Sequence, residues 1–350
     1  MKIVNIGIIG IGRIAIGRHI KELLNCPNAK IVALCDIDEK AIEKAVEKFK
    51  LYDVKRYTDY KDLIADSEVE AIEVCTPNHL HSKMAVEILE AGKPVNLEKP
   101  VSLSYDEALS IVEAEKQSTS FGMTCFTYRF MPAVRYAKEL VDAGVIGDVI
   151  GLNVAYLKNS ALWEGIRLEW RFVKDKAGSG VIGDLGVHLI DLAQLLAGKL
   201  ISVCAIRNTV IKERKCLDSE EYAPVETDDL CGFISIFENG SSATFHITRC
   251  AIGHKNTIRY DVYGSKGSIS FDLNKPSVLS ICTGEGDPKN YTMRIEDVPE
   301  KFTLSQEQAF VNAVNGHRDS LYPTLADGAE SQKIIDSIIE SSEKKTWIQI

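Results

Sequence analysis

The chain has no Cys-x-x-Cys pair, no cluster of lysines and arginines, and no low-complexity tract. Each absence removes a class of function. The nine cysteines are scattered from Cys26 to Cys282, several of them inside apolar runs such as "VALCD" and "IEVCTP". There cysteine behaves as a small hydrophobe, and an odd number so placed argues against a disulfide framework. A reducing compartment, the cytoplasm, is the expected location. With 41 basic against 50 acidic residues the net charge is −9, which disfavours nucleic acid and anionic membrane as partners. The opening "MKIVNIGIIG" is ended by glycines and is too short to span a bilayer, so it reads as a strand rather than a signal peptide. What remains is an ordinary globular composition, 45% hydrophobic and 26% charged, over 350 residues, enough for two domains.

The first 126 residues alternate short apolar runs with helical patterns. Strands are predicted at 2–10, 30–36, 54–58, 71–77, 94–98 and 120–126, with stretches such as "DEKAIEKAVEKF" and "HSKMAVEILEAG" between them. Strand–helix alternation with non-alternating apolar strands predicts a doubly wound parallel sheet covered on both faces. After residue 127 the texture changes. Helices are predicted at 131–144 and 183–198, followed by strand-rich sequence with hairpin punctuation at "ENG" and "SKG". Two helices, about 304–315 and 324–343, and a short "TWIQI" close the chain. The fold class is therefore α/β: a Rossmann-type domain over 1–126 and a second α/β domain over 127–350 with a large, mostly antiparallel open sheet.

"GIIGIGRIAIGRH" begins inside the first strand, and Gly10, Gly12 and Ala15 fit G-x-G-x-x-[GA] ahead of a helical pattern. The first glycine makes the tight turn, the second lets backbone approach a pyrophosphate, and the small third residue packs helix on strand. Arg13 and Ile14 complete the loop. Asp36 ends the second strand, placed to bind the adenosine ribose and repel a 2′-phosphate; NAD is thus favoured over NADP, although Lys40 lies near enough to blunt the preference. Ligands of such sheets lie beyond the carboxyl ends of strands, which places Thr76, Asn78 and His81 near a cofactor. Each of the three is equally consistent with ordinary turn chemistry.

The same reasoning applies to "NLEKPVSL". Glu98 and Lys99 stand at the end of the fifth strand, and Pro100 locks the backbone behind them. A second constellation lies in "GSGVIGDLGVHLIDL". Asp184 and His188 are four apart and share a helical face, with Asp191 three beyond. Histidine suits proton exchange near neutrality. The same residues read equally well as a capped helix start with a packing histidine. A metal site is not expected, since the stretch lacks a third strong ligand. "LEWRFVKDKAGSG" places Trp170 and Arg171 before a glycine-rich turn, and "TYRFMP" offers Tyr128 and Arg129 at the domain junction. Trp163 and Arg167, with Tyr156, Lys158 and Glu164, lie where sugar hydroxyls could be held or solvent faced.

Together "GIIGIGRIA", "DID", "CTPNHLH", "LEKP", "YRF", "EWR" and "GSGVIGDLGVHLIDL" follow the order of the glucose–fructose oxidoreductase/inositol dehydrogenase/MocA family, which the chain resembles over nearly its whole length. The resemblance implies an NAD(P)-dependent oxidoreductase acting on a sugar, cyclitol or related polyol, assembled as a homodimer or homotetramer. It implies that Lys99 hydrogen-bonds the reacting oxygen, His188 exchanges its proton, and Asp184 anchors the substrate and orients that pair. Glu98, Trp170 and Arg171 would then face the cofactor. Tyr128, Arg129, Trp163 and Arg167 would contact substrate. The family's Lys-Pro peptide is often cis, and "GSG" at 178–180 departs from its usual three glycines. Two other outcomes stay open within the family: a glycoside-cleaving enzyme that keeps its NAD, and a non-catalytic NAD-binding regulator.

Overall fold

The computed structural model describes residues 1–163, 165–284 and 286–350. It divides into two compact units, 1–126 with 304–329, and 127–303 with 330–350.

In the first unit six strands form one parallel sheet: β1 (Val4–Ile9), β2 (Ala29–Cys35), β3 (Lys55–Tyr57), β4 (Ala71–Val74), β5 (Val95–Leu97) and β6 (Gly122–Thr124), in the order β3-β2-β1-β4-β5-β6. The strand order reverses between β1 and β4, and such a reversal opens a crevice at the carboxyl ends of the strands. Helical segments connect them. A π-helical turn (Ala15–His19) runs into α1 (Ile20–Leu24), and α2 (Glu39–Phe49), α3 (Tyr60–Ala65), α4 (His81–Glu90) and α5 (Tyr105–Gln117) follow. Asp38, Asp59 and Ser104 cap three of these by accepting backbone N–H groups of Lys40, Lys61 and Glu107. The short α3 went unread in the sequence, because six residues are too few to show a helical period.

In the second unit α6 (Pro132–Asp142) starts on a proline at its first turn, where no N–H is needed. Strand β7 (Val149–Leu157) and the short α7 (Lys174–Ala177) follow. A second π-helical turn (Ile182–Gly186) then continues into α8 (Val187–Ala197). The remaining strands are β8 (Leu200–Asn208), β9 (Glu213–Lys215), β10 (Tyr222–Pro224), β11 (Leu230–Phe237), β12 (Ser242–Thr248), β13 (Thr257–Gly264), β14 (Gly267–Asp272), β15 (Val278–Thr283), β16 (Arg294–Asp297) and β17 (Ile348–Gln349). Eight of them join β7 in one nine-stranded sheet, β16-β15-β14-β13-β7-β12-β11-β8-β17, while β9 and β10 pair separately. All neighbours in it are antiparallel except β7 and β12. Alternation along β11 shows the two faces: Phe233 and Phe237 point into the core, Ile234 and Ile236 stay exposed. The segment Lys174–Ala197 is long and apolar enough to cross a membrane by composition, yet 83% of its apolar window is buried within the protein, where it supplies the core helix.

Two helices end the chain, α9 (Gln306–Val314) and α10 (Leu325–Lys344). Here the domain expectation is corrected. The segment 304–329, assigned from the sequence to the C-terminal domain, belongs to the first unit. The reason is edge pairing on β6: Thr124 N–H donates to the Pro323 carbonyl at 3.0 Å, and the Tyr322 hydroxyl donates to the Gly122 carbonyl at 3.1 Å. An exposed strand edge carries unpaired backbone groups, and this returning segment supplies partners for them.

Candidate active site

Local sequence places the first group of candidates at the carboxyl end of the parallel sheet. Gly10 has φ +89°, and a Cβ there would lie 2.8 Å from the backbone of Cys75, so only glycine fits. At Gly12 a Cβ would meet nothing within 4 Å, so the space above the turn is open to a ligand. The Asp36 carboxylate accepts the Ile11 N–H at 2.6 Å through one oxygen and the Asp38 N–H at 2.9 Å through the other. Arg13 and Ile14 are exposed on the rim of the loop, and Ile37 is exposed beside Asp36. A tight glycine turn with open space above it and an acid at the end of β2 fits a dinucleotide, whose pyrophosphate and ribose need those two features.

Thr76 and Asn78 follow β4 as expected in the sequence, with Asn78 opening a 3₁₀ turn. His81 is different. It is buried, with Nδ1 2.7 Å from the Pro100 carbonyl and Nε2 2.9 Å from the Thr76 carbonyl. Burial, the largest influence, pushes its pKa below the ordinary imidazole value, and in the neutral ring one of the two contacts carries the proton. His81 therefore ties the β4 end to the β5 end.

At the end of β5, the Lys99–Pro100 peptide is cis. Lys99 is half-buried, and its backbone N–H donates to Glu98 Oε2 at 3.1 Å. Glu98 is itself buried. Its Oε1 lies 2.9 Å from Nε2 of His19, four residues beyond Ala15 on the helical segment that leaves the glycine loop. His19 drew no notice in the sequence. The available signal was its spacing from the glycine motif, which turns it back toward the sheet.

The second unit carries the other candidates. Asp184 lies in the π-helical turn and His188 in the first turn of α8, so the four-residue spacing does hold both on one continuous helical segment. That segment starts under tight constraint. A Cβ on Gly180 would sit 2.0 Å from the Asp228 carbonyl oxygen, and Asp228 accepts the N–H groups of Gly180 and Ile182 at 3.0 and 3.1 Å. The last glycine of "GSG" is thus the position that close approach requires. His188 is buried, and the Tyr128 ring meets it edge-on at 4.6 Å between centroids. From Tyr128 a hydrogen-bonded array leads on: its hydroxyl lies 2.8 Å from that of Tyr156, which donates to Asn256 Oδ1 at 2.8 Å. Burial, followed by Tyr128, pushes the Tyr156 phenol well above its usual range, so it stays neutral. Asn256 was not foreseen, since it comes from the loop before β13, a hundred residues from Tyr156 in sequence.

Several of the expected substrate contacts have protein partners of their own. Arg129 is buried with its Nε donating to both Asp191 oxygens at 3.0 and 2.9 Å. The pairing gives the buried guanidinium the carboxylate partner it needs. Arg167 donates to the carbonyls of Cys216 and Ser219 and to Glu220, and so secures the β9–β10 hairpin. Arg171 stacks over the Trp170 ring at 4.3 Å and lies 3.9 Å from Glu169. Trp163 is exposed. Glu164 lies outside the described residues.

Residues 4–124 match the family described as "Oxidoreductase family, NAD-binding Rossmann fold", and residues 134–270 match the "GFO/IDH/MocA C-terminal domain". Levoglucosan dehydrogenase of Pseudarthrobacter phenanthrenivorans is 29% identical over 326 residues, covering 84% of this chain and 83% of that protein. Among solved structures, a levoglucosan dehydrogenase in complex with NADH and L-sorbose superposes with a TM-score of 0.92 at 27% identity, covering 100% of this chain and 99% of that one. An oxidoreductase domain protein from Kribbella flavida is 30% identical with a TM-score of 0.91, and each chain covers 100% of the other.

Proposed function

The chain belongs to the GFO/IDH/MocA family of NAD-dependent oxidoreductases, which act on sugar or polyol hydroxyl groups, and on that premise we propose that its substrate is an uncharged sugar or anhydrosugar. One observation carries the proposal: the hydrogen-bonded array beside His188 links two phenols and an amide, Tyr128, Tyr156 and Asn256, with the Lys158 ammonium 6.0 Å from the Tyr156 ring centroid rather than hydrogen-bonded into the array. Neutral donor–acceptor groups match sugar hydroxyls, which also both donate and accept. The arginines that would suit a phosphate, Arg129 and Arg167, are engaged by Asp191 and by the β9–β10 hairpin.

Gly10, Gly12, Arg13, Ile14 and Asp36 would hold the cofactor, with Thr76, Asn78 and Glu98 at the neighbouring strand ends. The bound nicotinamide supplies the hydride acceptor. The chain's own residues handle the proton. Lys99 hydrogen-bonds the reacting oxygen, His188 takes the hydroxyl proton as the carbon–hydrogen bond gives up its hydride, and Asp184 orients the sugar. NADH formation with levoglucosan, L-sorbose, glucose, myo-inositol and glucose 6-phosphate tests the reading. Turnover of an uncharged sugar is expected, and a preference for the phosphate ester would overturn it.

The proposal extends to assembly and location. Ile206, Ile234, Ile236 and Ile295 are exposed on strands of the nine-stranded sheet. Apolar side chains so arranged suit a second copy of the chain, giving a homodimer or homotetramer in the cytoplasm.

A further inference from the structure

A buried ionisable cluster stands behind the end of β5, and the proton chemistry above makes no use of it. At its centre is His19, with no solvent exposure. Nδ1 lies 2.7 Å from Glu73 Oε2 and 3.4 Å from Glu307 Oε1, while Nε2 lies 2.9 Å from Glu98 Oε1. The facing groups come from four elements. Glu73 is on β4 with Cys75 just beyond it, Glu98 follows β5, Cys125 follows β6, and Glu307 is on α9. On its own helical segment Arg18 is paired with Glu22 at 3.0 Å and lies 3.9 Å from Glu307.

With both carboxylates ionised, each only accepts, and a ring bonded to one on each nitrogen then carries a proton on both. Burial opposes that charge; the Cys75 thiol, itself pushed up to about 11 by burial, stays neutral near pH 7, and the Glu73 carboxylate at 2.7 Å holds the His19 pKa above the ordinary imidazole value. Glu73 Oε1 accepts from Asn96 Nδ2 at 3.2 Å, and Glu98 Oε2 accepts from the Lys99 N–H, so both carboxylates are ordered on each side. Burial, then the neighbouring Glu22, pushes Glu307 well above the usual carboxylate range, leaving it a neutral acid. The sulfurs of Cys75 and Cys125 bring this group near a metal-ligand set. A zinc ion between a histidine nitrogen and a carboxylate oxygen would hold them well over 3 Å apart, roughly, so the 2.7 Å contact is a hydrogen bond.

We propose that His19 is a positioning residue: an imidazolium that keeps the Glu98 carboxylate ionised and fixed at the end of β5, where that negative charge favours the cationic, oxidised nicotinamide over the neutral, reduced one. The proposal rests on the reading that Glu98 faces the cofactor. Without the imidazolium, Glu98 is a buried carboxylate that still feels the Arg18 guanidinium, and its affinity for a proton rises. As Glu98 takes up that proton the bias toward oxidised cofactor disappears, and it returns at alkaline pH when Glu98 ionises again.

The test compares Kd for NAD+ and for NADH, by tryptophan fluorescence, in the parent, Glu98→Gln and His19→Gln chains across the neutral and alkaline range. In Glu98→Gln the Kd(NAD+)/Kd(NADH) ratio should rise at least about fivefold at every pH. In His19→Gln it should rise similarly at neutrality and recover toward the parent ratio as the solution turns alkaline. An unchanged ratio in Glu98→Gln would show that Glu98 does not face the cofactor. A shifted ratio there with an unchanged ratio in His19→Gln would overturn the positioning role alone. Nitrogen-15 spectra of the ligand-free parent decide the matter if His19→Gln does not fold: both ring nitrogens of His19 should be protonated at neutral pH, and a neutral ring would overturn the proposal.

Discussion

The Ile11 N–H donates to the Asp36 carboxylate at 2.6 Å, so the acid that ends β2 is tied directly to the glycine loop that ends β1. Loop shape thus depends on the same side chain that is proposed to hold the ribose. Asp36→Ala should raise KM for NAD about tenfold or more, the size expected when a charge-assisted hydrogen bond is lost. It should also narrow the gap between NAD and NADP. Steady-state KM for the two cofactors checks this, and an unchanged KM for NAD would remove Asp36 from cofactor binding.

For Lys99→Ala and His188→Ala, kcat should fall about a hundred- to ten-thousand-fold, the range that a positioned proton-transfer group supplies. His188→Ala should also lose one limb of the pH–rate profile, which a packing histidine would not. Full pH–rate curves for both variants make the distinction.

The Arg129–Asp191 pair predicts a stability effect without a matching loss of substrate affinity. Arg129→Ala leaves a carboxylate buried without its cation, which should cost roughly 3–5 kcal/mol in urea unfolding. Adding Asp191→Leu to it should recover a large part of that loss. If Arg129 touched substrate instead, KM would rise while the unfolding midpoint stayed in place.

His81 and His19 shift in opposite directions, and so should their contributions to stability. His81 is held neutral: its contribution is present above the unfolded imidazole value and is lost as pH falls through its lowered folded pKa. His19 is held charged: its contribution is present below the unfolded value and is lost as pH rises through its raised folded pKa. Urea midpoints should therefore lose their acid-side slope in His81→Gln and their alkaline-side slope in His19→Gln. The opposite assignment of slopes would contradict both environments.

Exposed isoleucines on the open sheet face predict that Ile234→Asp together with Ile236→Asp reduces the mass seen by light scattering toward that of a single chain. An unchanged mass would place any contact between copies elsewhere.

Much of this was legible in the sequence because it rests on local periodicity. The six parallel strands, the glycine turn at Gly10 and the acid at Asp36 follow from spacing alone, as do the hairpins at "ENG" and "SKG". The rest was hidden in long-range partners. Nothing near Arg129 in the chain announces Asp191, 62 residues away, and nothing near Arg167 announces the hairpin at Cys216 and Ser219. An arginine at a domain junction looks available until its carboxylate is found. His19 escaped for the complementary reason: its partners Glu73, Glu98 and Glu307 are three separate segments that meet only when the sheet closes. Asn256 likewise reaches Tyr156 only through the folded sheet.

The return of residues 304–329 to the first unit sets the order in which the protein can be completed on the ribosome. Synthesis proceeds at about 5–20 residues per second, so the β6 edge waits roughly ten to forty seconds after Phe126 for the segment that covers it. During that interval all of 127–303 is made. The cofactor-binding unit, first to be started, is therefore finished only after most of the second has emerged, and its partly built state lives in the company of the nascent sheet that follows.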